Sequence, residues 1–409
     1  MNVIETALAG KLTRFQKELT EELQSILGYW LQFAPDVKRG GYYGRIDNHN
    51  HIDQRAPKGS VLHCRILWAF SAGYLHTGNP QYLDAARRAY DFISSYMIDQ
   101  EHGGIFWTVD DEGKPLDTKK QVYAQAFAIY GLSQYYRASG DPQSLVLAKN
   151  IYQLIVDKSE DTGYGGYVEA LSRDWKEMGD LRLSEKDANE KKSMNTHLHV
   201  LEGFANLYGV FPDEGLGGRI RSLIDIFLEQ IIDLETGHLR LFFDMKWHCR
   251  SSLVSFGHDI EASWLLPDAA GCLREPDLEM KLKPVSGTLA LAAMRGLDGD
   301  GGLWYEYEPL SHHLVREKHS WPQAESMVGY FNMWQLTGEP EFLEQSLKSW
   351  EFVKAHIRDC EGGEWFWGIY EDGSVMNQDK VGIWKCPYHN ARACLEIISR
   401  IQKYLNGTI

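Results

Sequence analysis

With 409 residues, 44% of them apolar and 24% charged, the chain has a globular composition and enough length for a large core, which excludes fibrous and disordered classes. Its net charge of −15 argues against a nucleic-acid partner, because phosphate binding needs clustered Lys and Arg. The six cysteines show no CxxC pair, Met1 to Phe15 lacks a secretory apolar core, and no apolar run approaches membrane-spanning length. A reducing cytoplasmic location without membrane attachment is therefore expected.

In chain order, a single helix is predicted around Thr13 to Leu31, followed by Gly40-Gly41-Tyr42-Tyr43-Gly44. Related glycine-aromatic hairpins recur at Gly103-Gly104-Ile105-Phe106-Trp107, Gly165-Gly166-Tyr167, Gly237-His238-Leu239, Gly301-Gly302-Leu303-Trp304 and Gly362-Gly363-Glu364-Trp365. A spacing of about sixty to seventy residues marks an internal repeat. The glycines permit positive φ, and Glu112-Gly113 and Asp372-Gly373 are turn dipeptides that close hairpins. Between hairpins lie two amphipathic helices joined by a breaker. Arg65 to Leu75 is helical, Thr77-Gly78-Asn79-Pro80 stops it, and Tyr82 to Met97 resumes. Ser139-Gly140-Asp141-Pro142 and Thr337-Gly338-Glu339-Pro340 repeat this grammar, with looser versions at Phe211-Pro212-Asp213 and Arg274-Glu275-Pro276. The last repeat supplies one helix, Asn390 to Tyr404, which pairs with the first to close a ring. Six helical hairpins make an all-α (α/α)6 barrel forming one domain over 1–409, with short β-hairpins in the loops at its mouth. An open stack of helical repeats is the alternative.

In such a ring the first helices of all pairs begin at one mouth. Their starts carry His63 and Arg65; Tyr123 and Gln125; Asn195, His197 and His199; His258, Asp259 and Glu261; Trp321, Gln323 and Glu325; and Trp384, Tyr388, His389 and Asn390. Asn195 and His199 share a helix face while His197 points elsewhere and reads as a core histidine. His258 and Glu261 also share a face. No third ligand follows His197 and His199 at helix spacing, so no metal and no cofactor is expected. Imidazoles suit proton transfer at neutral pH, and two of them facing a substrate, with an arginine to stabilise an enediolate, describe an epimerase or aldose–ketose isomerase. A glycosidase using Glu261 and Glu325, or a silent sugar-binding protein, is the competing reading.

Four motifs carry a resemblance: Arg65-Ile66-Leu67-Trp68, Met194 to Glu202 (MNTHLHVLE), Gly257 to Trp264 (GHDIEASW) and Trp384 to Asn390 (WKCPYHN). Together they resemble the N-acylglucosamine 2-epimerase superfamily, and most closely its disaccharide-acting branch. The resemblance spans essentially the whole chain and implies the same (α/α)6 barrel. It also implies a β-1,4-linked disaccharide substrate with a free reducing end, such as cellobiose, lactose or mannobiose, whose reducing glucose is inverted at C2. His258 and His389 match the paired acid/base histidines, and Arg65 the stabiliser of the enediolate. His199 and Glu261 match supporting polar residues, Tyr123 and Asn195 contacts to the opened sugar, and Trp321 and Trp384 contacts to the sugar rings. Trp304 is a further candidate for such a contact. One departure is Ser320, which stands before Trp321 where relatives carry a second tryptophan.

Overall fold

The computed structural model describes residues 3–407, and its helices follow the predicted grammar. They are α1 (Val3–Gln32), α2 (Ser60–Thr77), α3 (Pro80–Phe92), α4 (Val122–Ser139), α5 (Pro142–Ser159), α6 (Met194–Tyr208), α7 (Glu214–Ile226), α8 (Phe256–Leu273), α9 (Pro276–Met294), α10 (Ser320–Thr337), α11 (Pro340–Phe352) and α12 (His389–Leu405). The breakers act as their chemistry requires. Gly78, Gly140 and Gly338 end α2, α4 and α10 in the left-handed conformation, and Pro80, Pro142 and Pro340 open the next helix. Asn79 and Asp141 cap α3 and α5 by accepting the N–H of Gln81 and Gln143.

Contacts run from α2 through α4, α6, α8 and α10 to α12 and back to α2. Helices α3, α5, α7, α9 and α11 each back onto the helix before them, and α1 backs onto α12. This is an (α/α)6 barrel, closed as expected by its two terminal helices. Inner helices are buried all round: α4 buries every residue from Val122 to Tyr135. Neighbouring inner helices touch backbone to backbone, since a Cβ on Gly131 would stand 2.6 Å from the Cys64 carbonyl oxygen and one on Gly203 2.7 Å from that of Ala126. The start expected at Arg65 falls too late, because Lys58–Gly59 is a two-residue strand that leads straight into α2. Among the described residues no helix is long and apolar enough to cross a membrane.

The glycine turns lie between the outer and inner helices. Each closes on an isolated antiparallel bridge, such as Pro35 with Tyr42 and Ile98 with Ile105. An unforeseen repeat braces five turns: a lysine ammonium meets the aspartate that opens the turn, Lys58–Asp36, Lys120–Asp99, Lys192–Asp161, Lys318–Asp298 and Lys380–Asp359, all within 2.9 Å. Most of these ammonium groups are buried, so the pairs fix turn register more than they add stability. The sixth turn corrects the sequence alignment by one residue. Its bridge joins Arg358 to Trp365, and the left-handed pair is Gly363 and Glu364, not Gly362 and Gly363.

Candidate active site

The register of the inner helices sorts the mouth residues into two sets. The fourth residue of α2, α4, α6, α8 and α10 is His63, Gln125, His197, Asp259 or Gln323, and it turns back to its glycine turn. Each accepts the backbone N–H that follows: Tyr42 at 3.2 Å, Ile105 at 2.7 Å, Tyr167 at 2.9 Å, Leu239 at 2.9 Å and Leu303 at 2.8 Å. These five were expected at the mouth, and the structure makes them scaffold. His197 is the core histidine anticipated for that position. Asn390 takes the equivalent place in α12, donating to Glu364 of the sixth turn at 2.6 Å.

Two residues further on stand Arg65, Phe127, His199, Glu261, Glu325 and, in α12, Arg392. These meet across the ring. The Arg65 guanidinium lies 4.1 Å from the Phe127 ring centre, and that ring is 4.8 Å from His199. Arg392 donates to both Glu261 and Glu325 at 2.7 Å and to Glu202. Glu202 in turn accepts from Tyr388 and faces His199 Nδ1 at 2.9 Å.

Above this layer opens a cavity of about 480 Å³, large enough for a small sugar. Nine of the ten candidate residues line it: Arg65, Tyr123, Asn195, His199, His258, Glu261, Trp321, Trp384 and His389. Trp304 does not. Its ring lies 4.2 Å from the Lys318 ammonium, while its neighbour Tyr305 lines the wall. Trp365 and Trp367 supply additional aromatic wall.

His258 and His389 occupy the same place, one residue before the fourth position, on α8 and α12. The Trp321 ring contacts both, at centroid distances of 4.7 and 5.6 Å. His258 Nδ1 faces the Ser255 hydroxyl at 2.8 Å, and His389 Nδ1 faces Glu325 at 2.6 Å. Burial drives His258 down to about 3, with His199 adding repulsion. Burial, then Arg65 and Arg392, holds His389 well below its ordinary value. Burial also lowers His199 against the pull of Glu202. Burial thus disfavours the charged form of all three imidazoles. Burial raises Glu261, reinforced by Glu325, and burial raises Glu325 despite Arg392. Glu202 is held at about 2: burial pushes it up, but Arg392 and His199 outweigh burial.

Arg65 donates to the Tyr123 hydroxyl at 2.6 Å. Its Nε and the Asn195 Oδ1 are buried without a protein hydrogen-bond partner. Glu261, Glu325 and His389 bring ligand atoms within 4.8 Å of one another, yet Arg392 already bridges the two carboxylates, so a divalent cation there would face a guanidinium. Glu202 and Arg392 were absent from the sequence candidates. Their only local signal is register, since Glu202 follows His199 by three residues on one face and Arg392 sits at the helix place of Arg65.

The sequence model of the N-acylglucosamine 2-epimerase (GlcNAc 2-epimerase) family matches residues 41–393. A Bacteroides fragilis protein named cellobiose 2-epimerase is 47% identical over 384 residues, covering 94% of this chain and 97% of that one. The solved cellobiose 2-epimerase from Bacillus thermoamylovorans B4167 is 40% identical with a TM-score of 0.91, covering 95% of this chain and 100% of that chain. A solved D-mannose isomerase at 22% identity shares the fold, with a TM-score of 0.82 over 94% of this chain and 97% of that chain. With a family match across most of its length and near full-length relatives well above chance identity, the chain belongs to the N-acylglucosamine 2-epimerase family.

Proposed function

We propose that the protein is an epimerase that inverts C2 of the reducing-end glucose of a β-1,4-linked disaccharide such as cellobiose. The relatives named cellobiose 2-epimerase support the reaction class. The observation that carries the mechanism is the pair of imidazoles at equivalent helix places, His258 and His389, lining one cavity against a shared Trp321.

The reducing sugar opens to its aldehyde, whose carbonyl acidifies the C2 hydrogen. One imidazole takes that proton; the C2–H electron pair becomes the C1–C2 double bond and the carbonyl pair moves to O1. The second imidazole, carrying the one proton that the pair shares at the outset, delivers it to the opposite face of C2 as the aldehyde re-forms. The two histidines then exchange protonation states, and solvent resets them. Arg65 faces the enediolate oxygens with its charge, a role suited to a guanidinium in the lining of the cavity. Glu325 accepts from His389 Nδ1, which keeps Nε2 free as the base and offsets the imidazolium that forms. His199, backed by Glu202, serves ring opening, while Glu261 and Asn195 orient the opened chain.

Incubation with cellobiose in heavy water tests this reading. The expected product is 4-O-β-glucosyl-mannose with deuterium at C2 of the reducing residue. Free glucose would identify a glycosidase and a dominant ketose an isomerase, and either result overturns the proposal.

A further inference from the structure

The sixth turn differs from the first three at one residue. Gly41, Gly104 and Gly166 adopt positive φ, and a Cβ on any of them would come within 2.6 to 2.9 Å of the fourth-position side chain of the following inner helix. In the sixth turn this place belongs to Glu364, which is 3% exposed with φ 65°. A left-handed backbone crowds the Cβ of an L-residue against the following carbonyl, so glycine is the usual occupant. Asn390, short at the fourth position, leaves room, and the Glu364 carboxylate itself accepts the N–H of Trp365 at 2.9 Å, a bond that elsewhere goes to the inner helix.

The same carboxylate gathers three more donors: Trp30 of α1 at 2.5 Å, Lys385 at 2.7 Å and Asn390 at 2.6 Å. Lys385 belongs to an insertion. The fourth-position residue follows the turn-bracing lysine by five places at Lys58 and His63, but by ten at Lys380 and Asn390. The added residues place Trp384 and Cys386 in the cavity and lead into His389. Trp384 packs 5.6 Å from Trp107 and 6.0 Å from Tyr123, and Ile383 fills the space that a side chain on Gly59 would need. Lys385 also borders the cavity, and its ammonium turns back to Glu364.

We propose that Glu364 is a positioning residue of this site, whose strained carboxylate anchors the inserted loop and the start of α12 and so sets Trp384 and His389 against the sugar. The proposal rests on the reading of the site given above.

The test uses the full chain and three variants: E364Q, E364G and E364G/K385M. Glycine relaxes the backbone and restores the residue of the first three turns, while K385M removes the cation that E364G strands. E364G is expected to lower kcat on cellobiose about tenfold or more, and E364Q, which keeps an acceptor oxygen, by about threefold. K385M added to E364G is expected to restore the thermal midpoint without restoring kcat. A folded E364G within about twofold of the unmodified kcat, or a double variant that regains both stability and rate, overturns the proposal. If neither glycine variant folds, E364Q decides: a loss of about threefold at an unchanged thermal midpoint supports the anchor, and full activity refutes it. Unmodified protein run in parallel reports separately on the site reading, because failure to label C2 there sinks that reading whatever Glu364 does.

Discussion

His258 and His389 share a helix position and a tryptophan neighbour, yet their surroundings are not alike. His258 enters α8 directly from the strand Val254–Ser255, and its Nδ1 meets only the Ser255 hydroxyl. His389 enters α12 from an inserted loop, and its Nδ1 meets Glu325, a carboxylate clamped by Arg392 and by the Trp264 indole at 3.0 Å. A hydroxyl can donate or accept and so tolerates either tautomer. A carboxylate accepts only, which fixes the proton on Nδ1, while burial and then Arg65 and Arg392 oppose the charged ring. The same place on two helices has thus become two chemical groups of different basicity, as suits two opposite faces of one carbon.

The largest expected effect breaks the pair outright. His258→Ala and His389→Ala should each remain folded and lose epimerisation by about 10³-fold, as removal of a general acid or base does. Exchange sharpens the result. The variant that still washes deuterium into unreacted cellobiose has kept the base on the gluco face, and near-normal product formation by either variant would falsify the two-histidine mechanism.

A smaller effect separates the supports. Glu325→Gln should lower kcat by about 10²-fold, because the amide cannot offset an imidazolium, while Ser255→Ala should cost about fivefold or less. Equal losses would mean that the two partners do the same work and that the asymmetry carries no chemistry.

The least effect on turnover is expected one residue along from the pair, at the fourth position. His63→Gln should leave activity near pH 7 unchanged, since Gln125 and Gln323 do the same task in α4 and α10. It should instead change acid stability. Burial holds His63 down at about 3, so between the unfolded value of about 6.5 and that point only the unfolded chain carries the proton. Stability therefore falls as pH drops through that window, by up to about 1.4 kcal/mol per pH unit, and stops falling once the native state is protonated too. Unfolding free energies from denaturant titrations at pH 7 and pH 4.5 should differ less in H63Q than in the unmodified protein, by about 2–3 kcal/mol. A slope unchanged by the substitution would place the acid lability elsewhere, for example in His197, held at about 4 by burial.

The barrel and most of its cavity were legible in the chain because their signals are local. Glycines with positive φ, prolines at first turns and six recurrent hairpins follow from the backbone of a few adjacent residues, and two unpaired end helices leave closure as the economical outcome. Helix starts that carry imidazole, indole and guanidinium groups likewise pointed to one mouth, and nine of ten candidates line it. Which residue of each start faces inward was not legible, because one step of helix register separates His258 from Asp259 and His389 from Asn390, and that register is set by where the turn strand ends. In the same way Tyr305, one residue along from Trp304, lines the cavity. The charge network was beyond reach altogether: Arg392 finds Glu202, Glu261 and Glu325 at separations of 190, 131 and 67 residues, contacts that exist only once the ring has closed. The sequence by itself determined the repeat and the closed ring; the tertiary structure decided which carboxylate backs which histidine, because only packing across the barrel brings low-dielectric burial and opposite charge to the same few ångströms.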